Sequence, residues 1–201
     1  MENKRMKNLA STFDTIAKVA GEIFRAVGIV CAVMAVLVAI FGEKMIANMG
    51  EVSLELGFVK LFLSDSVAAN TGFMNAYVII GLVTVLAVCF AIFFASRILR
   101  SVLAPMKEGR PFEAEVSVGL RKLAWVTLAC GALTEIMHVV EGVILSHAYE
   151  LESILSSDAV ARVELNYTFD FGFLLIFAVI MFLSYVFSYG QKLQQESDET
   201  L

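Results

Sequence analysis

Glu135, His138 and Glu141 recur at intervals of three inside Leu123–Leu145, a run otherwise long and apolar enough to cross a membrane. An ionised side chain near the bilayer centre costs ~2.5–3.5 kcal/mol on insertion scales, so these acids need a partner, a proton or a purpose. As a helix, the run puts Glu135 near its middle, His138 about 4.5 Å further along and Glu141 about 9 Å. Steps of three drift by about 60°, so the three form a slow spiral on one side, turned into a bundle rather than toward lipid.

Three chemistries fit this stripe. Glu-x-x-His is a ligand pair of ferritin-like bundles, and His147, Asp170, Asn75 or Tyr77 could complete a mononuclear site with Glu141 or His138. Those bundles use two such helices plus further glutamates, and this chain has one. A carboxylate and an imidazole a turn apart could instead exchange a proton when the outside changes. The third chemistry is a polar network tying helices together, with Glu135 carrying a proton and bonded to a hydroxyl such as Thr84, Thr127 or Ser184. Glu135, His138, Glu141, His147 and Asp170 are therefore the candidates for ligand or proton sensing. Glu141, His147 and Asp170 form the half where sensing is expected, and Glu135 is read as a helix tie. No metal and no cofactor is assigned. The chain holds no Ser-His-Asp arrangement in plausible register, no His-Glu-x-x-His and no phosphate-cradling glycine loop, so it is expected not to be an enzyme.

The elements that must carry the stripe are legible in composition. Of 201 residues, 59% are hydrophobic and 17% charged, and mean hydropathy is +0.79, beyond the usual range of soluble domains. The apolar residues form four blocks, roughly 19–42, 76–96, 123–145 and 169–189, each near the ~20 residues that span a bilayer. The expected fold is an all-α membrane protein, a four-transmembrane-helix bundle occupying 19–189. A net charge of −5 argues against direct nucleic-acid binding.

Lysine and arginine sort the connections. Lys4, Arg5, Lys7 and Lys18 precede the first span, and Arg97, Arg100, Lys107, Arg110, Arg121 and Lys122 fall in the connection 97–122. The connections 43–75 and 146–168 hold only Lys44 and Lys60, or Arg162. The positive-inside rule then makes both termini and the middle connection cytoplasmic, in a multi-pass membrane protein.

The flanking segments have patterns of their own. Met6, Leu9, Phe13, Ile16 and Ala20 recur at three and four, which predicts an interfacial amphipathic leader over 1–18. Glu51–Phe58 and Ala161–Phe169 alternate apolar and polar residues, so two strands are expected to pair as a small extracytoplasmic β-ribbon cap, with a helix around 148–156 packed on it. Glu22 and Arg25, a turn apart, are expected to neutralise one another. Cys31, Cys89 and Cys130 lie inside apolar runs and read as packing.

Two further strings carry a resemblance. Pro105-Met-Lys-Glu-Gly-Arg-Pro-Phe112 leads to Leu120-Arg-Lys-Leu123, and Gly190-Gln-Lys-Leu-Gln-Gln-Glu-Ser-Asp-Glu-Thr-Leu201 forms the tail 190–201. With four spans in about 200 residues, the chain resembles the bacterial membrane family known as domain of unknown function 2975. The resemblance covers most of the chain and does not extend to the acidic stripe. It implies a non-enzymatic membrane partner of a small cytoplasmic helix-turn-helix regulator. Gly109, Pro111 and Phe112 in the middle connection, with Glu196 and Asp198 in the tail, are the candidate docking residues. A plain solvated loop and a frayed terminus are the competing readings of those two segments. The alternative function is a small transporter or immunity-type protein binding a cation, proton or amphiphile in the bundle. The lipid bilayer is the one partner expected under either reading, and an oligomer is left open.

Overall fold

The computed structural model describes residues 2–47, 53–56, 59–62, 71–149 and 169–199. In chain order these form α1 (Glu2–Ala47), β1 (Ser53–Leu56), β2 (Val59–Phe62), α2 (Thr71–Glu108), α3 (Ala114–Tyr149) and α4 (Gly172–Glu199). Each of the four helices is long and apolar enough to cross a membrane. They also exceed what a crossing needs. At 1.5 Å per residue, the 46 residues of α1 extend about 69 Å and the 28 of α4 about 42 Å, against ~30 Å of hydrocarbon.

That excess corrects two sequence expectations and, for the tail, bears out an extended fourth helix over a frayed terminus. The leader 1–18 is not a separate element but the first turns of α1, because neither of the two prolines lies before Pro105 and nothing interrupts the helical ladder. Its apolar stripe Leu9, Phe13 and Ile16 is exposed, while the small Ala10 and Ala17 are buried. The connection 97–122 shrinks to residues 109–113, since α2 runs on through Pro105 to Glu108. The tail continues α4 to Glu199 rather than fraying at Gly190.

α2 stops where its backbone is capped. Gly109 takes φ 86°, its N–H donates to Met106 O at 3.1 Å, and Arg110 N–H donates to Pro105 O at 3.0 Å. This pair of bonds is the Schellman arrangement, in which a left-handed residue after the last turn satisfies the final carbonyls. A side chain at position 109 would strain that conformation. Pro111 then prevents the helix from resuming before Ala114.

The strands differ from expectation in their pairing. β1 and β2 form an antiparallel two-stranded sheet in the register Ser53↔Phe62, Leu54↔Leu61, Glu55↔Lys60 and Leu56↔Val59. The partner of the first expected strand is therefore the next segment of the chain, a local pairing that costs less loop-closure entropy than one more than a hundred residues away. Residues 161–168 of the second expected strand, and most of the helix expected at 148–156, lie outside the described residues.

The described chain divides into two compact units, one of residues 1–29, 86–135 and 169–201, the other of 30–85 and 136–168. In the first, Val102, Val116 and Leu120 form a fully packed cluster, flanked by Met106, Ile180 and Phe187. Burying one such side chain contributes ~1.5–3 kcal/mol. Ser184, also buried, donates to Ser117 O at 2.8 Å and ties α4 to α3 there. α1 meets α2 through small residues: Gly21 lies against Ser96 and Phe93, and Gly28 against Cys89 and Leu86. In the second unit Gly42 lies against Asn75. Within the first unit Gly21 and Gly28 are seven apart on α1 and Ser96 and Cys89 seven apart on α2, the repeat of an antiparallel left-handed helix pair. Asn75 Oδ1 is buried without a hydrogen-bond partner. Its approach to the Gly42 backbone suits a weak Cα–H···O contact.

Candidate functional site

The candidate residues of the acidic stripe are divided between the two units. In the first unit, Glu135 Oε2 accepts from the backbone N–H of Asp170 at 3.2 Å. The Asp170 carboxylate is itself committed, accepting from Gly172 N–H at 2.7 Å as the N-cap of α4. In the second unit, Thr84 Oγ1 bonds to Ile80 O at 2.9 Å and lies 3.1 Å from Glu141 Oε1. His147 Nδ1 is 2.8 Å from Val143 O, and its ring sits 5.8 Å from that of Phe73. His138 is exposed and makes no hydrogen bond among the described residues. It lies on the side of α3 opposite the exposed Val140 and Val143.

Glu135 thus meets the backbone amide that precedes α4 rather than one of the hydroxyls expected for it. Of these, Thr84 serves Glu141, Thr127 bonds to Leu123 O and Ser184 to Ser117 O. Of the expected sensing half, Asp170 in the first unit and Glu141 and His147 in the second each answer a local backbone or hydroxyl demand. Among the described residues no group of three or more His, Cys, Asp or Glu is placed to hold a metal ion. Arg25 meets Glu22 at 2.7 Å, the local pairing expected of it.

The docking candidates fare differently. The Phe112 ring lies 5.9 Å from that of Phe187, and a Cβ at Gly190 would come within 2.6 Å of Phe112 Cδ1. The glycine therefore lets the connection seat against α4. Beside this contact runs a cleft of about 270 Å³, lined by Arg110, Phe112, Glu113, Gln191, Gln194, Gln195 and Asp198. Glu108 and Glu113 hold the Arg110 guanidinium from both sides. Phe112 and Asp198, chosen from two distant strings, share one cleft. Gly109 and Pro111 are not among the residues that line it, and Glu196 instead faces Lys192 at 3.8 Å.

Sequence reading missed the glutamine face and an ion cluster. Gln191, Gln194, Gln195 and Asp198 follow the i, i+3, i+4, i+7 pattern of one helix face, a signal available in the tail. Asp14, which precedes the apolar run of α1, accepts from Arg100 Nε at 3.0 Å and from Lys107 Nζ. The Lys107 hydrogen bond, helped by Arg100 and opposed by burial, holds the Asp14 carboxyl below the usual carboxylate range. A lowered folded-state value means that this stabilisation is complete above the ordinary pKa of about 3.9 and is lost as pH falls through the lower folded value. Unfolding midpoints should therefore drop more steeply for wild type than for Asp14→Asn between about pH 5 and pH 3. Parallel pH profiles would contradict the pairing.

Four membrane-capable helices, of which α2 and α3 are joined by a capped five-residue connection, are those of a multi-pass membrane protein. No family model, curated protein or solved structure matches the chain.

Proposed function

We propose that this protein is a non-enzymatic regulatory partner of a cytoplasmic helix-turn-helix transcription regulator, held in the inner membrane with both termini and the 109–113 connection on the cytoplasmic side. The observation that carries the reading is the cleft in which the connection and the extension of α4 meet. The Lys and Arg content of the leader and of 97–122 supports the orientation, which puts the β1–β2 hairpin outside. The resemblance to domain of unknown function 2975 supports the class of partner.

The chemistry of the cleft suits a protein segment. Glutamine amides both donate and accept, and so can follow a peptide backbone. Asp198 and Glu113 supply negative charge for a basic side chain, and Phe112 offers an apolar edge. Affinity capture of the tagged, detergent-solubilised protein should retain the helix-turn-helix protein encoded beside it, and deletion should change transcription of that operon. Absence of capture together with unchanged transcription would refute the proposal.

A further inference from the structure

From Lys18 onward, the cations of the first unit fall into two groups. Arg25, Arg100, Lys107, Arg110 and Lys192 each meet a carboxylate. Lys18, Arg97, Arg121 and Lys122 are exposed and meet none among the described residues; the Arg97 guanidinium lies 5.9 Å over the Phe93 ring. Packing puts these four at one level along the helices. Gly21 lies against Ser96, so Lys18, one turn earlier on α1, is level with the stretch just after Arg97. Gly119 lies against Val102 and Ser101, so Arg121 and Lys122 on antiparallel α3 are level with residues 99–100. The four therefore lie within about one helical turn of one another along the axes.

That level is where the apolar runs begin. Val19 follows Lys18 and Leu123 follows Lys122, while the run on α2 closes at Ser96. Trp125, the chain's one tryptophan, is 55% exposed, a turn from both Arg121 and Lys122, with its ring 5.5 Å from that of Phe177. Indole rings favour the headgroup layer, and lysine and arginine stems reach along apolar surface to put their charge there. Unpaired, outward-facing cations at this depth have lipid phosphate as their nearest source of negative charge. Asp14 and Glu22, the acids one turn to either side of Lys18 on α1, are already engaged, the first by Arg100 and Lys107 and the second by Arg25.

We propose that Lys18, Arg97, Arg121 and Lys122 form a collar that binds the headgroup phosphates of anionic phospholipids. The collar is independent of the protein partner proposed above. Full-length protein in nanodiscs of phosphatidylcholine with a minor fraction of phosphatidylglycerol should, after gentle extraction, retain phosphatidylglycerol enriched about tenfold by native mass spectrometry. Lys18→Gln/Arg121→Gln/Lys122→Gln should abolish the enrichment without loss of folding, because these side chains are exposed and unpaired. Removing equal charge elsewhere, with Lys7→Gln/Arg110→Gln/Lys192→Gln, should preserve it. Equal retention of the two lipids by wild type, or persistent enrichment in the collar variant, overturns the assignment. Displacement of the lipid by inorganic phosphate beyond that caused by chloride of equal ionic strength also overturns it, in favour of a small-anion site.

Discussion

Gly119→Leu is expected to destabilise the detergent-solubilised protein by about 3 kcal/mol, at the upper end of what overpacking costs. A Cβ at position 119 would overlap Val102 Cγ2, and Val102 is 2% exposed with a β-branched side chain that has little room to turn. Replacing a helical glycine gains about 0.8–1 kcal/mol of propensity, too little to offset the clash. Alanine separates the two effects. Gly119→Ala should lose about 1 kcal/mol net, whereas Gly81→Ala, whose Cβ would lie 4.0 Å from Glu141 Oε1, should be neutral or gain up to about 1 kcal/mol. Reversible unfolding followed by Trp125 fluorescence measures all three. Equal midpoints for the two alanine variants would remove the packing argument.

The second large effect concerns the cleft. Phe112→Ala combined with Asp198→Lys should weaken capture of the regulator at least about tenfold, or ~1.4 kcal/mol of binding. The unfolding midpoint should move little, because Phe112 is 41% exposed and Asp198 is exposed in the last turns of α4. Removing the ring deletes the apolar edge, and the added lysine repels the basic segment the cleft is proposed to take. Undiminished capture in a titration of the purified proteins would move the docking surface elsewhere.

What could be read in the sequence followed the strength of the physical demand. The hydrocarbon requirement is severe and local, so the four apolar blocks announced four helices. Their ends were obscure because helices outside lipid stop at caps rather than at hydropathy boundaries. The Gly109 cap is a single residue, and Pro105 is tolerated inside α2. The partner of Glu135, the backbone amide that precedes α4, carries no side-chain signal. Asp170 looked like a ligand because aspartate serves equally well as a cap, and residue type alone does not separate the two roles. The seven-residue spacing of Gly21 and Gly28 stood in the sequence throughout. It becomes informative once Ser96 and Cys89 are seen to answer it from α2.

The packed cluster also constrains how the molecule is made. Val102, Val116 and Leu120 come from α2 and α3, but Ile180 and Phe187 come from α4, and the Ser117–Ser184 bond spans 67 positions. Synthesis runs from the N-terminus, so α2 and α3 emerge as a hairpin whose buried face lacks its cover until the last helix has left the ribosome. Until then Val116 and Leu120 offer an apolar surface outside the long hydrophobic runs. The nascent chain therefore has a window, closing only near residue 187, in which a chaperone or an insertase must shield what α4 will later cover.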